Sequence, residues 1–370
     1  MESRTPAGYA ADNRLHNGVA VFGEESCPSG RPWHCGSATL PSSIALRHVA
    51  VAVAYRAGPH ATLNLAQASA TLAAPMQPLL PLIKDLRVGP ILVIGGYDAS
   101  NGPVLSVEER DPHLGTWDAW TASEAAMPDG QGGGCWAASK DGVVYVNRDD
   151  GALMHLDLAT KVWTRLPAIP KQGYCFVGVI SGRLHLVRGD RAWRFDPETV
   201  TWAVLPSVPT PRYSFGAAVA DGRLYVAGGE CPSGVAMGAV EFFDATAGAW
   251  SVLPGLPSPR RACAAAALGG KLFVAGGYRQ QLDVSDAVES LDLASSSWTT
   301  HRMMPTPRAY CAMAATGGFL YIFGGERLCE DDPSSCTGEV FDLVERYDPT
   351  GDCWAVEPPM PTARARCAAV

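Results

Sequence analysis

Apolar and polar positions along most of this chain come in short bursts broken by glycine, proline and aspartate. "GRLYVAGG" (222–229) and "GKLFVAGG" (270–277) are β-branched and aromatic runs that end in Gly-Gly, and each predicts a strand. "VEFFDATAGAW" (240–250) predicts a strand, an Asp-led turn and a second strand that carries Trp250. A run of small residues after each Pro-Arg pair predicts a further strand. One unit therefore holds four short antiparallel strands.

The bursts repeat. "TPRYSFGAAVADGRLYVAGGE" from Thr210, "SPRRACAAAALGGKLFVAGGY" from Ser258 and "TPRAYCAMAATGGFLYIFGGE" from Thr306 align without gaps, their arginines Arg212, Arg260 and Arg308 spaced 48 apart. Arg364 follows 56 further on, the surplus matching an enlarged loop around 329–336. Asp and Trp recur six apart at Asp111/Trp117, Asp157/Trp163, Asp196/Trp202, Asp244/Trp250, Asp292/Trp298 and Asp348/Trp354, and in four of these Val-Glu precedes the Asp. A four-stranded sheet with two apolar faces cannot bury both alone. Stacking six such units face to face around an axis can, which predicts an all-β, six-bladed β-propeller.

This set of signals, repeated over 91–370, resembles the kelch family: Pro-Arg, Gly-Gly after an apolar strand, Val-Glu-x-x-Asp, and Trp six residues past the Asp. The resemblance implies a kelch propeller over 89–370 with four antiparallel strands per blade. Units two and three lack Gly-Gly and have shorter connections ("VVYVNRDDGALMHLD", "LHLVRGDRAWRFD"), so they read as trimmed blades, with the "RGD" of 188–190 as a hairpin turn. Residues 1–88 read as an irregular leader. Cys27, Trp33, Leu40-Pro41 and Arg47 echo the unit, so a decayed extra blade, and seven blades in all, is the alternative. The first clear unit lacks an Arg-led inner strand of this kind and the chain ends on one, "RARCAAV" (364–370), so the C-terminal strand is expected to insert into blade one and close the ring. The rival is that 44–55 supplies that strand and 364–370 closes onto 17–33.

Composition refines the setting. Net charge is −8, which does not favour nucleic acid as the main partner. No apolar run is long enough to span a bilayer, and "MESRTPAGYAADNR" has no signal-peptide core, so the cytoplasm, or the nucleus, is expected. Of 11 cysteines, five recur three residues past the Pro-Arg position, at Cys135, Cys175, Cys263, Cys311 and Cys367, with Phe215 at that place in the remaining unit. They read as small apolar residues of crowded inner strands; a metal ring is the alternative, and no metal or other cofactor is expected. Cys329 and Cys336 flank an acidic loop and read as surface thiols, with a disulfide as the alternative.

Positions one and two past each arginine should open onto one face of the channel. By resemblance, kelch propellers recognise partner segments there. Tyr174, Tyr213, Ser214, Arg261, Tyr310 and Arg366 are the candidate partner-binding residues, offering aromatic surface and positive charge to an acidic or extended peptide. The repeated arginines themselves are expected to bond neighbouring loops or the Val-Glu glutamates. The reading is a non-catalytic protein-interaction module: a scaffold, or a substrate-recognition subunit of a ubiquitin-ligase assembly. No BTB-type or F-box module is recognisable. Some kelch-like propellers are copper-radical oxidases or sialic-acid epimerases, so an enzyme acting on a small sugar-like molecule is the alternative. The eight histidines show no metal-ligand spacing and no catalytic set converges, so no catalytic residues are assigned.

Overall fold

The computed structural model describes residues 89–120, 127–128, 133–167, 175–196, 199–280, 283–327 and 338–370, all within the unit Pro81–Val370. The expected leader or extra blade over 1–88 lies outside them, as do Tyr174 and the Cys329/Cys336 pair.

The described residues form six four-stranded antiparallel sheets and no helix. Blade one holds β1 (Ile91–Ile94), β2 (Val107–Arg110) and β3 (Trp117–Ala119). Blade two is β4 (Cys135–Lys140), β5 (Val143–Arg148), β6 (Leu153–Asp157) and β7 (Val162–Arg165). Blade three is β8 (Phe176–Ile180), β9 (Arg183–Arg188), β10 (Arg191–Asp196) and β11 (Thr201–Val204). Blade four is β12 (Gly216–Ala220), β13 (Arg223–Ala227), β14 (Val240–Asp244) and β15 (Ala249–Leu253), and blade five is β16 (Ala264–Leu268), β17 (Lys271–Ala275), β18 (Val288–Asp292) and β19 (Trp298–Thr300). Blade six is β20 (Ala312–Thr316), β21 (Phe319–Phe323), β24 (Val344–Asp348) and β25 (Cys353–Glu357), with a small hairpin, β22 (Glu326–Arg327) and β23 (Glu339–Val340), in its long loop.

The last strand, β26 (Ala368–Ala369), returns to blade one and pairs antiparallel with β1, Ile94 opposite Ala368 and Val93 opposite Ala369. Leu92 and Val370 exchange both backbone hydrogen bonds, at 2.9 and 3.1 Å. The rival closure, with 44–55 as the inner strand of blade one, is thereby overturned: β26 occupies that edge. A seventh blade within this ring is excluded as well, because the inner backbones of blades six, one and two bond directly, Arg366 N–H to Tyr310 C=O and Cys135 N–H to Arg366 C=O.

Blades pack through alternating inner residues. Cys311 and Met313 face Ala264 and Phe273 of blade five, while Ala312 and Ala314 face Val93 and Cys367 of blade one. The tryptophans stitch the outer seams: Trp250 donates to Pro206 C=O, Trp298 to Pro254 C=O, Trp354 to Arg302 C=O and Trp117 to Pro358 C=O, all at 2.9–3.0 Å and each reaching the preceding blade.

The diglycines follow from the same crowding. Gly325 N–H donates 2.9 Å to Arg364 C=O of the next blade, and a Cβ on Gly324 (φ +56°) would lie 2.2 Å from that oxygen. Only glycine allows such backbone contact. In the two trimmed blades the place of the first glycine is taken by arginine, Arg148 and Arg188. Arg148 is fully buried, donating 2.8 Å to Pro128 C=O and pairing with Asp150. It supplies a buried guanidinium to a blade that has no Pro-Arg arginine.

Candidate functional site

Each repeated arginine is fully buried and faces the Val-Glu glutamate of its own sheet. Arg212 meets Glu241 at 2.8 Å and also donates to Gly228 C=O; Arg308 meets Glu345 at 2.9 Å. Arg260 lies 3.0 Å from Glu289 and donates to Ala287 C=O, and Arg364 pairs with Glu108 and donates to Gly95 C=O. A buried guanidinium needs this carboxylate and these carbonyls to offset the loss of water. These arginines are structural, as their positions implied. They pin the loop that leads each inner strand, and so fix where the next two side chains point.

Those next residues form the channel mouth. Ser214, Ala262, Tyr310 and Arg366 all sit in the left-handed region, with φ of 50°, 52°, 51° and 57°. For non-glycine residues this costs about 1–2 kcal/mol each. A chain of inter-blade hydrogen bonds holds them there: Ala262 N–H to Ser214 C=O at 2.6 Å, Tyr310 to Ala262 at 2.9 Å, Arg366 to Tyr310 at 2.8 Å, then Cys135 to Arg366 at 3.0 Å. Strain of this kind gathers where a structure aims side chains for use.

The side chains make a continuous belt. Ser214 Oγ and Arg261 Nη1 each reach the Glu230 carboxylate at 2.8 Å. Arg261 lies over the Tyr278 ring, 5.5 Å from its centroid, and Tyr278 meets Tyr310 edge-on at 6.1 Å. Arg366 lies 4.5 Å over Tyr310 and 5.9 Å over Tyr97, and its Nη2 is 3.5 Å from Glu326. Tyr97 donates to Asp149, where the belt reaches blade two. Burial raises the Glu326 carboxyl above its ordinary pKa, against the opposing pull of Arg366. Burial likewise raises the Tyr97 hydroxyl, reinforced by its bond to Asp149.

Of the sequence candidates, the structure joins Ser214, Arg261, Tyr310 and Arg366 in this belt. Tyr213 stands beside it, 45% exposed, pairing by backbone with Glu230 and leaning over Gly189 of blade three. The positive charge of Arg261 and Arg366 is already faced by carboxylates, Glu230 and Glu326 respectively. Sequence reasoning missed Tyr97, Glu230, Tyr278 and Glu326. Their signal was present, since each directly follows a diglycine.

The five repeated thiols are not exposed at the mouth. Cys135, Cys175, Cys263, Cys311 and Cys367 are buried and lie in separate inter-blade seams. Desolvation pushes Cys311 and Cys175 up to about 12 and Cys367 up to about 11. Burial of this kind keeps these thiols protonated at neutral pH. Among the described residues no group of three His, Cys, Asp or Glu is placed to hold a metal ion. Ser290 Oγ lies 2.7 Å from His301 Nε2, with Asp352 4.0 Å from the ring's other nitrogen, and Ser290 is fully buried.

Residues 168–370 match the family model described as the KLHDC2/KLHL20/DRC7 Kelch-repeats domain. A solved structure titled "Structure of YjhT" superposes with a TM-score of 0.59 at 15% identity, covering 74% of this chain and 99% of that chain; it shares the fold. No curated protein matches the sequence.

Proposed function

The chain belongs to the Kelch-repeat family, whose domains generally bind protein partners, and on that premise we propose that it is a non-catalytic interaction scaffold that takes a partner segment at the channel mouth. The observation that carries this reading is the belt of Ser214, Arg261, Tyr310 and Arg366, held at left-handed backbone positions by bonds between blades. Tyrosine and arginine on a rigid backbone are the residue types that dominate binding energy at interfaces. Their mutual pairing pre-orders them, which lowers the entropy cost of engagement. We place the molecule in the cytoplasm or nucleus, as a substrate-recognition subunit of a ubiquitin-ligase assembly or a comparable scaffold.

The test is capture of partners by the purified protein and by a Tyr310→Ala/Arg366→Ala variant. Loss of most captured partners at unchanged melting temperature supports the reading; retention of all of them places the binding face elsewhere. Metal analysis of the same preparation adds a second check, since stoichiometric copper would overturn a purely non-catalytic role.

A further inference from the structure

The repeat sets a rule for the inner strands that three of the six blades break. Just past the repeated thiol, blades five, six and one carry alanine: Ala264, Ala312 and Ala368. Blades two and three carry Trp136 and Phe176 there, and blade four replaces the thiol itself with Phe215. The fold requires none of these rings, since the other blades close without them. Function is expected where a sequence departs from its own structural rule.

The three rings meet. Trp136 lies edge-on to Phe176, with centroids 5.0 Å apart, and reaches past blade three to stack on Phe215 of blade four at 6.4 Å. Blade three makes room for them. Gly178 stands where blades two, four, five and six have Ala138, Ala218, Ala266 and Ala314, and a Cβ on it would lie 3.0 Å from Phe176 Cε1. The rings form one wall of a central cavity of about 110 Å³. Ala264, Ala312 and Ala368 line it from the other three blades, and Ser214, Tyr310 and Arg366 join it to the belt. Arg366 is the only charged side chain among the described residues of that lining. Glu230 and Glu326 pair with the belt arginines but do not line the cavity. The contact of Arg366 with Glu326 is long, 3.5 Å against 2.8 Å for Arg261 with Glu230, and the Arg366 side chain is 40% exposed.

We propose that this cavity binds a small aromatic carboxylate, a single ring with a short acid arm, its ring seated on Trp136, Phe176 and Phe215 and its carboxylate on the Arg366 guanidinium. The ligand is a free small molecule, so this goes beyond the partner-segment reading and does not depend on it. Size limits the choice. An apolar cavity of about 150 Å³ takes up benzene, so one of about 110 Å³ holds one ring with its acid arm toward the belt and has no room for a fused ring system. Moving a ring from water onto apolar surface is favourable, and three rings at different angles offer it both edge-on and stacked contact. A planar guanidinium takes a carboxylate through parallel N–H bonds. The ring supplies affinity and the charge fixes orientation.

The test titrates the full chain with phenylacetate and with benzoate by calorimetry, with acetate and benzyl alcohol as controls that each keep one half of the ligand. At least one of the two acids is expected to saturate one site with a Kd of about 1 mM or below, the range open to a ligand of about ten heavy atoms. Acetate and benzyl alcohol should each bind at least tenfold more weakly than that acid. Trp136→Ala, which gives blade two the residue of blades five, six and one, should weaken the acid at least tenfold. Phe215→Cys, which restores the repeated thiol, should weaken it severalfold and decides the point where Trp136→Ala shifts the melting temperature. Arg366→Gln should remove the preference for the acid over benzyl alcohol. Failure of both acids to saturate a site overturns the proposal. Acetate binding as tightly as the acid, or full binding by both ring variants, removes the aromatic seat. Benzyl alcohol binding as tightly as the acid, or a preference for the acid that survives Arg366→Gln, removes the charge assignment. None of these outcomes bears on capture of protein partners, so failure here leaves the partner reading in place.

Discussion

Blade four and blade one are the same object made from different stretches of chain. In blade four everything is local: Arg212 meets Glu241 29 residues away, donates 3.0 Å to Gly228 C=O, and Trp250 ties the sheet to Pro206 of the blade before. In blade one Arg364 meets Glu108 across 256 residues, donates 3.0 Å to Gly95 C=O, and Trp117 reaches Pro358 of blade six. The bonds are the same and only connectivity differs. Lengthening the closed loop to that extent costs about 2 kcal/mol, less than the about 3–5 kcal/mol typically lost when one member of a buried ion pair is removed. Residue identity at each blade position, rather than chain continuity, sets the geometry.

The two blades do differ in one seam. The position before the turn aspartate is apolar in five blades: Leu156, Phe195, Phe243, Leu291 and Tyr347. In blade one it is Arg110, fully buried in the closing seam, 2.5 Å from Glu357 and 5.0 Å over the Tyr321 ring. Arg346 holds the same Glu357 at 2.6 Å.

The largest effects should come from the arginines. Arg212→Ala and Arg364→Ala are each expected to lose about 3–5 kcal/mol in urea unfolding, because each leaves a buried glutamate unpaired. Arg364→Ala losing under about 1 kcal/mol would break the equivalence. Next come the stitches: Trp250→Phe and Trp117→Phe should each cost about 1 kcal/mol, the worth of one hydrogen bond, and by similar amounts.

How far such equivalences could be read from sequence depends on the blade. The 48-residue spacing, the Asp/Trp pairs and the Arg-x-x-Cys of the closing strand are repeated, so both fold and closure were legible. Four residues of the belt were legible too, since Ser214, Arg261, Tyr310 and Arg366 follow the repeated arginine. Glu230 and Glu326 were overlooked because only the diglycine before them was read as signal. Arg148 was illegible for a physical reason. A trimmed blade moves its buried guanidinium from the inner-strand lead to the diglycine position, and a spacing rule cannot follow that move. Asp149, its neighbour, enters the belt only because the short turn brings it under Tyr97.

Smaller effects sharpen the closing seam. Arg110→Leu removes a buried charge yet leaves Glu357 paired with Arg346, and it restores the residue type that blade five has at Leu291. Its stability should stay within about 1 kcal/mol of the parent or rise; a larger loss would show that the charge itself holds the ring shut. The smallest effect concerns the neighbouring seam of blades five and six. Burial lowers the pKa of His301 there, against the opposing charge of Asp352. The unfolded chain therefore binds a proton at higher pH than the folded one. The contribution is complete above about 6.5, the ordinary histidine value, and fades as pH falls through the lowered folded value. Burial also lowers His185, which acts in the same sense. The urea midpoint should drop between pH 7 and pH 5, and drop less in His301→Phe; an equal drop would remove His301 from the account.

Closure of six blades by the C-terminal strand is the claim on which the mouth depends, since Arg366 reaches the belt only through it. Its most direct measurement is the thermal unfolding of a chain ending at Pro359 beside that of the full chain. The account predicts a melting temperature lower by ten degrees or more, with loss of cooperativity across the whole propeller, because the cut removes the inner strand of blade one, the Arg364–Glu108 pair and the bonds from Arg366 to Tyr310 and Cys135. A truncated chain that melts cooperatively within two degrees of the full one would contradict it.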